Sequence, residues 1–189
     1  MGEYQTGFRP AQRAVALADA VRREPAISRS RLAALLREHG EAARDVRGEA
    51  FTVADAAALR AAAGRLTAVL LLTDVDHAAR ALNALLAECA TAPRLSNHDG
   101  HHWHLHVDRH DAGWAEWFLT SSALALAQLM SERGRIAWGE CAAAGCATLF
   151  LGTGPGSPRR YCSKECATRA RVAAHRARRT AAAGRLEAC

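Results

Sequence analysis

Cys141-Ala-Ala-Ala-Gly-Cys146 and Cys162-Ser-Lys-Glu-Cys166 place four of the chain's six cysteines within 26 residues, and the fold is read outward from that window. No apolar run in the chain exceeds five residues, and the opening segment Met1 to Pro10 lacks the apolar stretch of a secretory signal. The expected location is therefore cytoplasmic, without a membrane span. In a reducing compartment, paired cysteines read as metal ligands before they read as disulfides. Four thiolates from Cys141, Cys146, Cys162 and Cys166 suit one structural zinc ion in a closed tetrahedral site with no open position for water. A redox pair or buried, unliganded thiols are the competing readings, and the two-pair spacing favours zinc. Cys89, in an alanine-leucine segment, is expected in the core, and Cys189, the last residue, as a free thiol.

Around the cysteines, Ala147-Thr-Leu-Phe-Leu151 reads as a strand, Gly152-Thr-Gly-Pro-Gly-Ser-Pro158 as a turn and Arg159-Arg-Tyr161 as the returning strand. Gly134 to Gly139 reads as the connection into this module. A helix follows from about Ser163, which is placed to cap it, with Cys166 one turn beyond Cys162. Two cysteines before a hairpin and two at a helix start are the parts of a treble-clef zinc site. Phe150 and Tyr161 supply a core too small to hold alone, so metal binding is expected to provide most of the module's folding energy.

Upstream the pattern is helical. Pro10 opens a helix to about Arg23, with Pro25 closing it, and Ser28 or Ser30 caps a short second helix carrying Leu32, Leu35 and Leu36 up to Gly40. Thr52-Val-Ala-Asp55 is an acidic capping box ahead of Leu59, Ala63, Leu66, Val69 and Leu70. Thr73 or Asp74 starts the next helix, through Leu82, Leu85 and Leu86, and these two are expected to pack as a pair. Asp99-Gly100, between Arg94–His98 and His102–Val107, is a hairpin signal. Alternation assigns Trp103, Leu105 and Val107 to the core face and His102, His104 and His106 to the other. With His98, His101 and His110 nearby, a second metal site is one reading of this hairpin and a plain polar face the favoured one. A long helix from Ala112 to about Arg133 carries Trp114, Trp117, Phe118, Leu124, Leu126 and Leu129, expected as core.

Charge is divided unevenly. The chain is 189 residues with a net charge of +6, and Arg159 to Cys189 holds nine basic and two acidic side chains, which leaves the rest near neutral. A near-neutral body with a basic end suits contact with a polyanion. A solvated arginine-rich tail is the bland reading.

The C-terminal module is similar to the CGNR zinc finger family on Cys141, Cys146, Leu149-Phe150-Leu151, Arg159-Arg160-Tyr161-Cys162-Ser163, Cys166, Arg169 and the run Ala174-His175-Arg176-Ala177-Arg178-Arg179. Upstream, Leu82-Asn83-Ala84-Leu85-Leu86, the Pro-Arg-Leu hairpin and the long helix resemble the ABATE domain that precedes this finger. The naming tetrapeptide is Cys166-Ala-Thr-Arg169 here, so its glycine and asparagine are replaced, and Cys162 and Cys166 stand one residue closer than in the family. The resemblance implies a transcription regulator whose finger binds DNA and whose ABATE domain senses a ligand or a stress.

The fold expected is α+β: a predominantly helical N-terminal domain with one β-hairpin, residues 1–136, a treble-clef-like zinc finger with a basic helix, 137–183, and a tail, 184–189. Arg159, Arg160, Lys164, Arg169, Arg171, Arg176, Arg178 and Arg179 are the expected DNA contacts, with Lys164 the first choice to neutralise the thiolates instead. A protein-interaction module docking the basic helix on an acidic partner is the alternative, and RNA binding a third, for which only Tyr161 offers a base-stacking ring. An enzyme is not expected: there is no glycine-rich phosphate loop, no nucleophile and base pair, and no open metal position. The expected partners are DNA, a small-molecule ligand for the N-terminal domain and, through that domain, a second copy of the chain.

Overall fold

The structure, a computed structural model, describes residues 8–97, 103–152 and 158–186. Six helices and two small antiparallel sheets follow in order: α1 (Phe8–Arg23), α2 (Arg29–Glu38), α3 (Val53–Leu70), α4 (Val75–Cys89), β1 (Arg94–Ser96), β2 (His104–His106), α5 (Trp114–Arg133), β3 (Trp138–Glu140), β4 (Leu149–Leu151) and α6 (Lys164–Leu186). The architecture is α+β, helical for the most part, with a cysteine cluster at the root of the last helix. No described helix is long and apolar enough to cross a membrane.

Local signals place the helix ends. The Ser28 side chain accepts from the Arg31 backbone N–H, Asp74 does the same for His77, and Thr52 and Asp55 close both bonds of a capping box. Gly40 and Gly134 adopt φ of 105° and 61°, the left-handed region that ends α2 and α5. The main core is built where α1, α3, α4 and α5 meet, with Leu17, Phe51, Leu59, Leu66, Phe118 and Leu126 inaccessible to solvent. α3 and α4 adjoin, but they are not a self-contained pair: α4 packs most extensively on α5, and α3 packs equally on α1 and α5. The long α5 buries Phe118, Leu126 and Leu129 in the core that both helices share. Cys89 packs partly buried against this core.

Two strand expectations are corrected. β4 does not pair with Arg159–Tyr161, which is not a strand. It pairs with Trp138–Glu140, which overlaps the end of the Gly134–Gly139 segment read as a connection, in the register Trp138↔Leu151, Gly139↔Phe150, Glu140↔Leu149. The hairpin's own turn is therefore the 141–148 segment, which carries Cys141 and Cys146. Three residues with a central glycine show no alternation, so the pairing depends on Trp138 and Leu149 being drawn into the main core.

In the other sheet β1 and β2 pair with Leu95 opposite Leu105. Its faces depart from strict alternation: Trp103 is 63% exposed and Leu105 43%, against the expectation, whereas Val107 is buried as expected. His106 turns inward, its Nδ1 2.8 Å from Asp108 Oδ1, with Arg94 beside the same carboxylate. Alternation predicts one shared face for Trp103, Leu105 and Val107, and the chain departs from it past β2, where half-buried His106 and Asp108 flank buried Val107. The Asp99-Gly100 turn, His98, His101 and His102, the Thr153–Ser157 segment and Cys189 lie outside the described residues.

Candidate metal centre and basic helix

Each half of the centre is made locally. Between β3 and β4 the chain doubles back as a knuckle: Cys141 N–H donates to Thr148 O at 2.9 Å, Cys146 N–H to Ala143 O at 2.9 Å, and Gly145, at φ 73°, takes the left-handed position between them. The second half is the start of α6. Ser163 Oγ accepts the Cys166 N–H at 3.2 Å, which caps the helix and holds Cys166 one turn beyond Cys162. Ala142 N–H donates to Arg160 O at 2.8 Å and joins the halves.

The four sulfurs converge. Cys141, Cys146, Cys162 and Cys166 present Sγ atoms all within 4.8 Å of one another, the one such cluster of metal-ligand side chains among the described residues. Cys146 Sγ lies 3.8 Å from Cys162 Sγ, and Cys162 Sγ 3.6 Å from Cys166 Sγ. A tetrahedral site with Zn–S of about 2.3 Å has S···S edges of about 3.8 Å, so the spacing fits zinc and is far too long for a disulfide. The smaller Cys162–Cys166 separation is accommodated by this helix start. Residues 138–179 match the model of the CGNR zinc finger family. No curated protein matches the chain.

Second-layer contacts in this zinc finger favour thiolate at particular sulfurs. The Thr148 hydroxyl, 3.2 Å from Cys146 Sγ, and the Thr148 backbone N–H lower the Cys146 pKa to about 6. Burial, with the neighbouring thiols, pushes Cys162 up to about 12. Sulfurs this close cannot all ionise unaided, and zinc supplies the positive charge that lets all four do so. Cys162 N–H points at Cys141 Sγ, 3.4 Å away. Cys141 and Cys166 are buried with Ala143 and Phe150, and Tyr161 packs against them, which is the small core expected.

The cations divide into two groups. Arg169 Nη2 donates to Cys166 Sγ at 3.3 Å, so among the described residues it is this guanidinium, and not the expected Lys164 ammonium, that is bonded to a ligand sulfur. It is the arginine retained from the family tetrapeptide. Arg159 Nη2 donates to Cys162 O at 3.1 Å, while Arg160 lies exposed beside Tyr161. Lys164 is exposed at the first turn of α6. Arg171 Nη2 donates to Thr168 Oγ1 at 3.2 Å, and Arg171, Arg176, Arg178 and Arg179 stand on a stretch in which every side chain from 171 to 179 is exposed.

Sequence reasoning missed the fastening of the finger to the body. Asp19 Oδ1 accepts the Leu149 N–H at 2.8 Å, Arg22 donates to Ala147 O at 2.7 Å and to Glu140 Oε1 at 2.6 Å, and Arg23 bonds to Thr148 Oγ1. The end of α1 thus grips the knuckle through the same threonine that touches Cys146. Thr148 was legible as a polar residue two places after a ligand. Nothing local marked the α1 residues.

Proposed function

We propose that the protein is a DNA-binding regulator in which the zinc-rooted helix α6 lies against duplex DNA and the helical body senses a small molecule or a stress. The supporting observation is the exposure of α6: its first turn is anchored by Cys166 and Ser163, and residues 171–179 project into solvent with four arginines. Its 23 residues span about 34 Å. Lys164, Arg171 and Arg178 recur every seven residues, so they fall within about 40° of one another on one side of the helix. Val172 and Leu186 are the large aliphatic side chains of this helix, and phosphates supply a partner that relieves the repulsion among its own charges. Arg159 and Arg160 extend the footprint at the helix root.

The test is fluorescence anisotropy of the zinc-loaded full chain with random duplex DNA across a salt series. Six neutralised phosphates give a slope of log K against log salt of about −5, and the Arg171→Ala, Arg178→Ala double variant flattens it by about 2. Cys162→Ser abolishes tight binding because the helix root is lost. No binding at low salt overturns the reading and leaves an acidic protein as the partner for α6.

A further inference from the structure

We infer that hydrogen peroxide oxidises the metal centre at one particular pair of ligands, closing a disulfide between Cys146 and Cys162 and releasing the zinc. The four sulfurs differ in their surroundings. Cys141 and Cys166 are buried, whereas Cys146 and Cys162 are half-buried, so an oxidant arriving from solvent meets this second pair first. Cys162 Sγ has two sulfurs beside it, Cys146 at 3.8 Å and Cys166 at 3.6 Å. Cys166 is the one held back. Its sulfur carries the Arg169 guanidinium at 3.3 Å, and a charged donor stabilises a thiolate and lowers its nucleophilicity. The Thr148 hydroxyl beside Cys146, at 3.2 Å, has no such charge. A bridge from Cys162 to Cys166 would also distort the helix turn that Ser163 caps. Cys146 and Cys162 stand on separate halves of the finger, and joining them asks for about 1.8 Å of approach, from 3.8 Å to an S–S bond of about 2.05 Å.

The atoms balance with peroxide as the oxidant. In the zinc-loaded finger the ligands are thiolates. The Cys146 sulfur attacks one peroxide oxygen, the O–O bond breaks and hydroxide leaves, which makes Cys146 a sulfenic acid. The Cys162 thiolate then attacks that sulfur. The S–O bond breaks, the S–S bond forms and a second hydroxide leaves. Each hydroxide takes a proton from the solvent, so two thiolates, one peroxide and two protons give one disulfide and two waters. Both sulfurs are oxidised and both peroxide oxygens reduced. With two of its four ligands consumed, the closed site no longer holds zinc, and Cys141 and Cys166 remain as thiols. The new bridge still ties the knuckle to the root of α6, so a thiol reductant and zinc restore the centre. The inference goes beyond the function proposed above and rests on the metal centre alone. It does not require that α6 bind DNA.

The experiment treats the zinc-loaded full chain with hydrogen peroxide in modest excess and reads released zinc with a chromophoric indicator. Free thiols are then blocked with a maleimide and the cysteines mapped by peptide mass spectrometry. One equivalent of zinc is expected to leave for each disulfide formed, with the peptides of Cys146 and Cys162 linked and those of Cys141 and Cys166 blocked as thiols. Dithiothreitol followed by zinc is expected to return the chain to its starting state. Cys89→Ser, which changes a cysteine outside the cluster, is expected to give the same map and the same zinc loss. Zinc that stays bound, a linked pair that includes Cys141 or Cys166, Cys146 carried to sulfinic acid with no disulfide, or a linkage lost in Cys89→Ser each overturns the inference. DNA is absent throughout, so failure here leaves the reading of α6 standing.

Discussion

Arg169 Nη2 and Cys166 Sγ are 3.3 Å apart, three residues along the same helix, so the first arginine of α6 serves the sulfur cluster. A hydrogen bond to a thiolate stabilises the charged ligand, and loss of such outer contacts weakens metal binding by about 10- to 100-fold. Arg169→Ala is therefore expected to lower zinc affinity by at least about tenfold in competition with a chromophoric chelator. The salt slope of the proposed DNA binding, compared at saturating zinc, is expected to stay unchanged. A slope flattened by about 1 with zinc affinity intact would instead place Arg169 on a phosphate.

Asp19 fastens the finger to α1. Its Oδ1 takes the N–H of buried Leu149 and its Oδ2 lies 2.9 Å from Arg23 Nε. Asp19→Ala leaves that N–H without its acceptor and costs about 1–3 kcal/mol, measurable as a lower urea midpoint. Trp138 and Leu149 belong to the main core, so the body and the knuckle share their packing. Zinc removal by a chelator is accordingly expected to lower the melting temperature of the helical signal as a whole, and an unshifted main transition would show the two parts to be independent.

How far the structure could be read from the chain depends on the distance over which each signal acts. Ser28, Thr52, Asp55 and Asp74 act on backbone within three residues, and each caps the helix it announces. The cysteine pairs declare themselves by spacing. The β3–β4 pairing was hidden because Trp138-Gly139-Glu140 has no strand pattern of its own and becomes a strand by burying Trp138. Contacts between Asp19 and Leu149, or between Arg13 and Ser121, join residues more than a hundred positions apart, and one sequence carries no trace of them.

The second strand segment of the first hairpin gives a direct comparison. Val107 is buried, whereas Trp103 stands on the outer face of the same alternating strand segment. Val107→Ala is expected to cost about 1–2 kcal/mol through lost burial, and Trp103→Ala less than about 0.5 kcal/mol, although it deletes the larger side chain. Urea titrations of the two variants check this, and the opposite order would restore the core face that alternation alone implies.

His39, beside Arg13, contributes to the pH dependence of stability on the acid side. Arg13 is buried, its Nη1 2.5 Å from Glu41 Oε1, its Nη2 2.9 Å from Ser121 Oγ and its guanidinium carbon 3.9 Å from the Trp117 ring centre. Burial lowers its pKa and Glu41 counters that, so Glu41→Ala, which strands a buried cation, is expected to cost about 3–5 kcal/mol. His39, at the end of α2, has its pKa lowered first by burial and then by Arg13, with Glu38 opposing. A depressed folded-state pKa means that the unfolded chain takes up the proton first as pH falls. The contribution of neutral His39 is therefore fully present above about pH 6.5 and is lost as pH drops from there toward the folded-state value. Urea midpoints at pH 8 and pH 5.5 should separate the parent chain from His39→Gln: the parent loses more stability over that interval. Equal losses would assign the acid sensitivity to other groups.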